Sequence, residues 1–284
     1  MSRKTLGLDI IIRHLRYILN SGFIKNKPYP LSTLLLAEPE RAKTTIVCRF
    51  EGVGVLLMND ATGYGVWEEL KNIKREWGEE GLSRLHHLII PDLERIRTRS
   101  KSTREELLSD LRMLMQEGLT RKHTARMNVT FNPPVRMGLI MCTTPEDIGD
   151  RRSVLRSLSF LSRVIPFTYD YDSRLKVNVF KFIQEEEALR KDKETISGEQ
   201  VFVKLPSYIA TELNAPAIFM AKKTEKFARK GSLIGIRYKE QFQTYLKSIA
   251  YSNGHKAVRD SDYEEFNELY AYMNYKYKEI EWGD

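Results

Sequence analysis

The chain has 284 residues, with 46 Lys+Arg against 38 Asp+Glu and two Cys. Apolar residues make up 42% and charged residues 30%; that is enough to pack a core and excludes a wholly disordered chain, and the length predicts one large or two medium domains. No run approaches the roughly 18 apolar residues of a membrane span, and the net charge of +8 fits a polyanion partner without requiring one.

In chain order, residues 5–21 carry Leu6, Ile10, Leu15 and Ile18 near helical spacing, which predicts an amphipathic helix. Its polar residues, with Met-Ser-Arg-Lys before them, argue against a signal peptide. Residues 31–36 form a short apolar strand, 37–42 a turn, and Lys43 onward opens a buried helix. A second strand is expected over 53–58, a turn over 60–65 and a helix over 66–77. A third strand spans 87–92, and a helix over 103–117 follows a Ser102/Thr103 capping pattern and stops at Gly118. Residues 120–130 are basic and poor in apolar side chains; 137–144 form a fourth strand, 150–163 a helix, and 165–169 and 175–182 extended segments.

Continuous apolar strands alternating with helices imply an α/β fold with a parallel sheet covered on both faces. Residues 207–213, 217–230, 239–252 and 260–277 read as helices. The expected organisation is an α/β core over 1–184, a charged connector over 185–205 and an all-α lid over 206–284. Cys48 and Cys142 lie in apolar runs, which predicts reduced core thiols and a cytoplasmic setting. His86 and His87 are adjacent, so they are expected to face opposite sides of a strand and to make a poor metal pair. No structural metal is expected.

The turn Ala37-Glu-Pro-Glu-Arg-Ala-Lys43-Thr44 stands between a strand and a helix. It matches a P-loop, G-x-x-x-x-G-K-[ST], in spacing and context. Lys43 takes the phosphate-binding position and Thr44 the Mg²⁺ position; the alternative is an ordinary strand-to-helix turn. Both glycine positions hold Ala, which tolerates positive φ badly. Glu38 and Glu40 place carboxylates where a triphosphate would sit, and each costs on the order of 1 kcal/mol or more at a few Å unless Arg41 offsets it. Leu88-Ile-Ile-Pro-Asp92 fits a Walker B strand, whose terminal Asp92 would bind Mg²⁺.

This order of motifs resembles the AAA+ branch of P-loop NTPases, and the C-terminal part resembles the lid of the minichromosome-maintenance helicases. The resemblance spans about residues 5–275 as a motif order rather than close identity. It implies an AAA+ P-loop core with a degenerate Walker A motif, ATP with Mg²⁺ as cofactors, and a homo-oligomeric ring or filament. Thr45 would join Lys43 and Thr44 in holding the nucleotide. Thr143 or Thr144 would match sensor 1. Arg163, with Arg151 and Arg152 behind it, would supply an arginine finger. Arg237, at the start of Ile236-Arg-Tyr-Lys-Glu-Gln-Phe-Gln-Thr-Tyr-Leu246, would match sensor 2. The family's catalytic Glu follows the Walker B Asp directly; here Leu93 stands there and Glu94 is displaced by one. These departures predict weakened hydrolysis.

Three basic clusters follow: Arg95, Arg97, Arg99, Lys101 and Arg104; Arg121, Lys122, His123 and Arg126; and Lys222, Lys223, Lys226, Arg229 and Lys230. The second precedes the sensor 1 strand, where the resemblance places a DNA-contacting pore hairpin. The expectation is therefore an ATPase-like oligomer acting on DNA as a helicase, translocase or loader, of a replication, phage or mobile-element kind. The alternatives are a catalytically inactive DNA-binding scaffold and a remodeller of a protein partner.

Overall fold

A computed structural model describes residues 8–93, 99–149, 153–171, 193–228, 231–275 and 279–280. The chain opens with α1 (Asp9–Asn20) and continues through β1 (Thr33–Leu36), α2 (Lys43–Val47), β2 (Phe50–Glu51), β3 (Val55–Leu57), α3 (Gly63–Arg84) and β4 (His87–Ile90). Then come α4 (Lys101–Met115), the hairpin β5 (Leu119–Thr124) and β6 (Met127–Val135), and β7 (Gly138–Thr143). Short helices α5 (Pro145–Gly149) and α6 (Leu158–Leu161) lead to β8 (Ile165–Thr168) and β9 (Asp170–Tyr171). After β10 (Glu194–Thr195), the rest is mainly helical: α7 (Ser207–Glu212), α8 (Asn214–Phe227), α9 (Ile236–Ser252) and α10 (Asp260–Tyr270).

Five strands form one parallel sheet in the order β3-β4-β7-β1-β8. The fold is thus α/β, with helices on both faces and a helical C-terminal part. Alternate side chains of each strand point to opposite faces, and two cores result. Leu35, Ile140, Cys142, Ile165 and Phe167 pack under α1, α2 and the C-terminal helices. Leu34, Leu36, Leu88, Ile90, Leu139 and Met141 pack under α3, α4 and α6. The C-terminal helices share their core with the sheet: buried His14 of α1 contacts both Tyr245 of α9 and Thr33 of β1 at 2.8 Å.

Several expected boundaries move. The helix expected over 66–77 starts earlier, at Gly63, and breaks at Gly78, whose backbone (φ 67°) is non-helical; a second helical stretch then runs on to Arg84. α4 is capped by Ser100, whose hydroxyl accepts from Thr103 N, rather than by Ser102 or Thr103. Gly118, at φ 90°, does end that segment. The helix expected over 150–163 is broken into a 3-10 turn at Val154–Arg156 and the four-residue α6. α2 is five residues long, and its Thr44 and Thr45 are exposed rather than buried. The last helix ends at Tyr270, not 277. The extended segment expected over 175–182 lies outside the described residues. Among the described residues, no helix is long and apolar enough to cross a membrane.

A candidate phosphate-binding site at the carboxyl end of the sheet

The connection from β1 passes β7 and β4 to reach β3, whereas the connection from β7 passes β1 to reach β8. Crossovers in opposite directions lie on opposite faces when both are right-handed. The cores agree: α2 belongs to one, and α3, α4 and α6 to the other. Beyond the carboxyl end of β1 the two connections diverge, and a crevice opens at such a switch point.

The loop 37–42 lies at this switch point, following β1 directly. Glu40 (φ 62°) and Ala42 (φ 58°) are both left-handed, and helical Lys43 follows Ala42 directly. Ala42 is where the P-loop pattern has its second glycine. A left-handed residue beside a helical one turns successive N–H groups toward one side, as in an anion-binding nest. Holding a residue with a Cβ there costs about 1–2 kcal/mol. Lys43 curls back over the loop: its Nζ donates to Ala37 O and, at 3.0 Å, to Glu38 O. Arg41 is engaged by Asp170, Nε to Oδ1 at 2.7 Å, and its carbonyl accepts from Tyr169 Oη at 2.8 Å. The offset expected of Arg41 against Glu38 and Glu40 thus meets a competing carboxylate in Asp170.

Asp92 follows β4, and the next amide, Leu93 N, donates to Cys142 O at 3.0 Å. Buried Cys142 lies close enough to feel both groups. Burial raises its thiol pKa most; Lys43 opposes this and Asp92 adds to it. The structure therefore brings Lys43, Thr44, Thr45 and Asp92 to one end of the sheet, beside the end of β7. There Thr143 and Thr144 both donate to Asp147 Oδ2, at 3.1 and 2.9 Å. Asp147 went unnoticed in the sequence, although Thr144-Pro-Glu-Asp147 is a capping-box pattern, and Asp147 N does donate to Thr144 Oγ1 at 3.3 Å. Leu93 is buried, and Glu94 lies outside the described residues, as do Arg95, Arg97, Arg151, Arg152, Arg229 and Lys230.

Arg163 and Arg237 are elsewhere. Arg163 immediately precedes the segment entering β8, and Arg237 Nη1 donates to Ser162 Oγ at 3.1 Å. Both therefore sit at the amino end of the sheet, separated from the loop by the length of β1, about 10 Å at 3.3 Å per residue. Within one chain this places Arg237 away from Lys43. Arg163 donates to Ser159 O and pairs with Glu117 at 3.2 Å. Burial, then the neighbouring Arg237 cation, push its pKa down. Arg112 also donates to Ser159, at 2.8 Å, so three guanidinium groups gather here.

The basic segment before β7 is an antiparallel hairpin, with Arg121 opposite Thr130 and Thr124 opposite Met127. Met127, Val129 and Phe131 point inward, and Phe131 stacks on Trp67 with ring centroids 5.6 Å apart. Arg121, His123 and Arg126 are exposed. Lys122 is not at the tip's disposal: it pairs with Glu106 at 2.7 Å and Asp110 at 3.1 Å and lies over Trp67. Arg99 pairs with Asp60, and Lys223 lies over Phe219. The histidine expectation is also corrected. His86 precedes β4 instead of alternating within it, so its Nδ1 comes within 2.7 Å of His87 Nδ1. Among the described residues, no group of three or more His, Cys, Asp and Glu side chains is placed to hold a metal ion.

No family model matches the chain, and a search of curated proteins finds no match.

Proposed function

We propose that this chain is an oligomeric AAA+-type P-loop protein that binds MgATP weakly, hydrolyses it slowly and acts on DNA. The observation that carries the reading is the convergence of Lys43, Thr44 and Asp92 on the crevice beyond β1, around Cys142. Lys43 would meet the phosphates after leaving the carbonyls of Ala37 and Glu38. Thr44 and Asp92 would share Mg²⁺, and the hydroxyls of Thr143 and Thr144 would orient water. Arg163 and Arg237, together at the far end of the sheet, would serve the site of a neighbouring protomer rather than their own. The exposed hairpin cations Arg121 and Arg126, with His123 beside them, would contact DNA phosphates without reading sequence.

Glu38, Glu40 and Leu93 support the weak side of this reading: two acids in the loop repel phosphate, and an apolar residue stands where a general base is needed. The same features favour a second reading, a catalytically inactive DNA-binding scaffold. A gel shift on nonspecific duplex, repeated over a salt series, tests the DNA arm. Wild type should bind at low salt, and Arg121→Gln/Arg126→Gln should lower the log–log salt slope by about 2. Absence of binding at 50 mM salt rejects the DNA arm and leaves a protein client as the better account.

A further inference from the structure

A cavity lies at the opposite end of the sheet from the loop 37–42, under the turns that enter β1, β4 and β7. Its volume is about 540 Å³, within the range of small-molecule sites. Its walls carry Lys27, Arg84, His86 and Arg136 together with Phe23 and Tyr29, and none of its lining residues is acidic. Among the described residues, the ion pair these cations make is that of Arg84 with Glu80, out at the surface.

The floor is rigid. His86 is clamped between Gly22 and Gly54, where a Cβ would approach its ring to 2.5 and 2.1 Å. Its Nδ1 meets His87 Nδ1 at 2.7 Å, and His87 Nε2 reaches Leu31 O at 3.1 Å. Phe23 packs edge-on against His86 with centroids 5.0 Å apart. Lys27 is held from below: its Nζ donates to Gly22 O at 3.2 Å and Ile24 O at 2.5 Å. An ammonium has three hydrogens, and no third acceptor for it occurs among the described residues. Arg136 Nε donates to Glu117 O at 3.2 Å, which fixes the guanidinium and leaves its other nitrogens for a ligand.

We propose that this cavity binds a compact organic phosphomonoester, with its phosphoryl group on Lys27 and Arg136 and its apolar body against Phe23 and Tyr29. A small anion fits because the lining offers positive charge and donors without a competing carboxylate, and a phosphoryl group accepts from both an ammonium and a guanidinium. The apolar walls give such a ligand an advantage over inorganic phosphate. This site is independent of the loop at Lys43 and of any nucleotide bound there. Burial also lowers the Lys27 pKa to about 8, so its amine is more nucleophilic near neutral pH than an ordinary lysine.

The test uses the whole chain and two readouts. In the first, phenyl phosphate, benzoate, inorganic phosphate and benzyl alcohol are titrated calorimetrically at low salt. Phenyl phosphate should bind at least ten-fold tighter than inorganic phosphate or benzyl alcohol. Arg136→Gln should weaken it at least five-fold, and Lys43→Ala should leave it unchanged. In the second, wild type is pulse-acetylated at pH 7.5 and analysed by mass spectrometry. Phenyl phosphate should protect Lys27 and leave Lys43 unprotected, which needs no variant to fold. Tighter binding of benzoate than of phenyl phosphate would overturn the phosphoryl assignment. Binding that is lost in Lys43→Ala, or that leaves Lys27 unprotected, would overturn the site.

Discussion

At the carboxyl end of β1 the chain holds Glu40 and Ala42 in left-handed conformations that suit glycine. At the amino end it uses glycines where no Cβ fits: one on Gly138 would lie 2.0 Å from Leu31 O and 2.6 Å from His87 Nε2. One end keeps side chains on a strained loop; the other gives them up to pack backbones and histidines closely. The first arrangement suits a loop that must rearrange around a ligand, and the second suits a fixed floor. The cations differ in the same way. Lys43 is tied to its own loop's carbonyls, whereas Arg112, Arg163 and Arg237 bond across to Ser159 and Ser162 at α6.

Acid should produce the largest effect. Burial lowers the pKa of His14 to about 3, and burial with the Lys27 charge lowers that of His86 to about 4, against an ordinary 6.5. The unfolded chain takes up these protons as pH falls below 6.5, while the folded chain resists until about 4 and 3. Their stabilisation is therefore complete above pH 6.5 and is lost on acidification, by about 2 kcal/mol each at pH 5. Urea unfolding at pH 7.5 and pH 5 should show a drop that shrinks by about 2 kcal/mol in His14→Gln. An equal drop in both proteins would contradict the burial of a neutral His14.

Gly138→Ala comes next. The added Cβ meets backbone and a buried ring, neither of which can swing away, so a loss of about 3 kcal/mol is expected in the same urea assay. Ala42→Gly is the opposite experiment at the opposite end. Relief of the left-handed strain exceeds the added chain entropy, so a gain of about 0.5 kcal/mol is expected. A loss of stability in Ala42→Gly would break the contrast between the two ends.

Much of this architecture was legible in the sequence because parallel strands buried on both faces leave continuous apolar runs. The runs at 31–36, 87–92 and 137–144 each become a strand of the sheet. The strand-to-helix loop with Lys43 and Thr44 was legible from spacing. What escaped depends on distance rather than order. Asp147 binds both threonines only because a helix turns back immediately after β7. Arg237 was placed with the nucleotide by motif order, yet α9 packs it on Ser162 at the other end of the sheet. Lys122 looked like a free hairpin cation until α4 brought Glu106 and Asp110 beneath it. The amino-end cavity leaves almost no trace in the sequence, since Lys27, Arg84 and Arg136 meet only when three separate turns converge.

The proposed function stands or falls on whether the loop at Lys43 takes a nucleotide. The most direct measurement is an equilibrium titration of a fluorescent ATP analogue with Mg²⁺ into wild type, Lys43→Ala and Glu38→Gln/Glu40→Gln. Wild type should show saturable but weak binding, Lys43→Ala at least ten-fold weaker binding, and Glu38→Gln/Glu40→Gln tighter binding once the two loop carboxylates are neutralised. Equal affinity in all three proteins, or no binding at millimolar nucleotide even after Glu38 and Glu40 are neutralised, would contradict the proposed function.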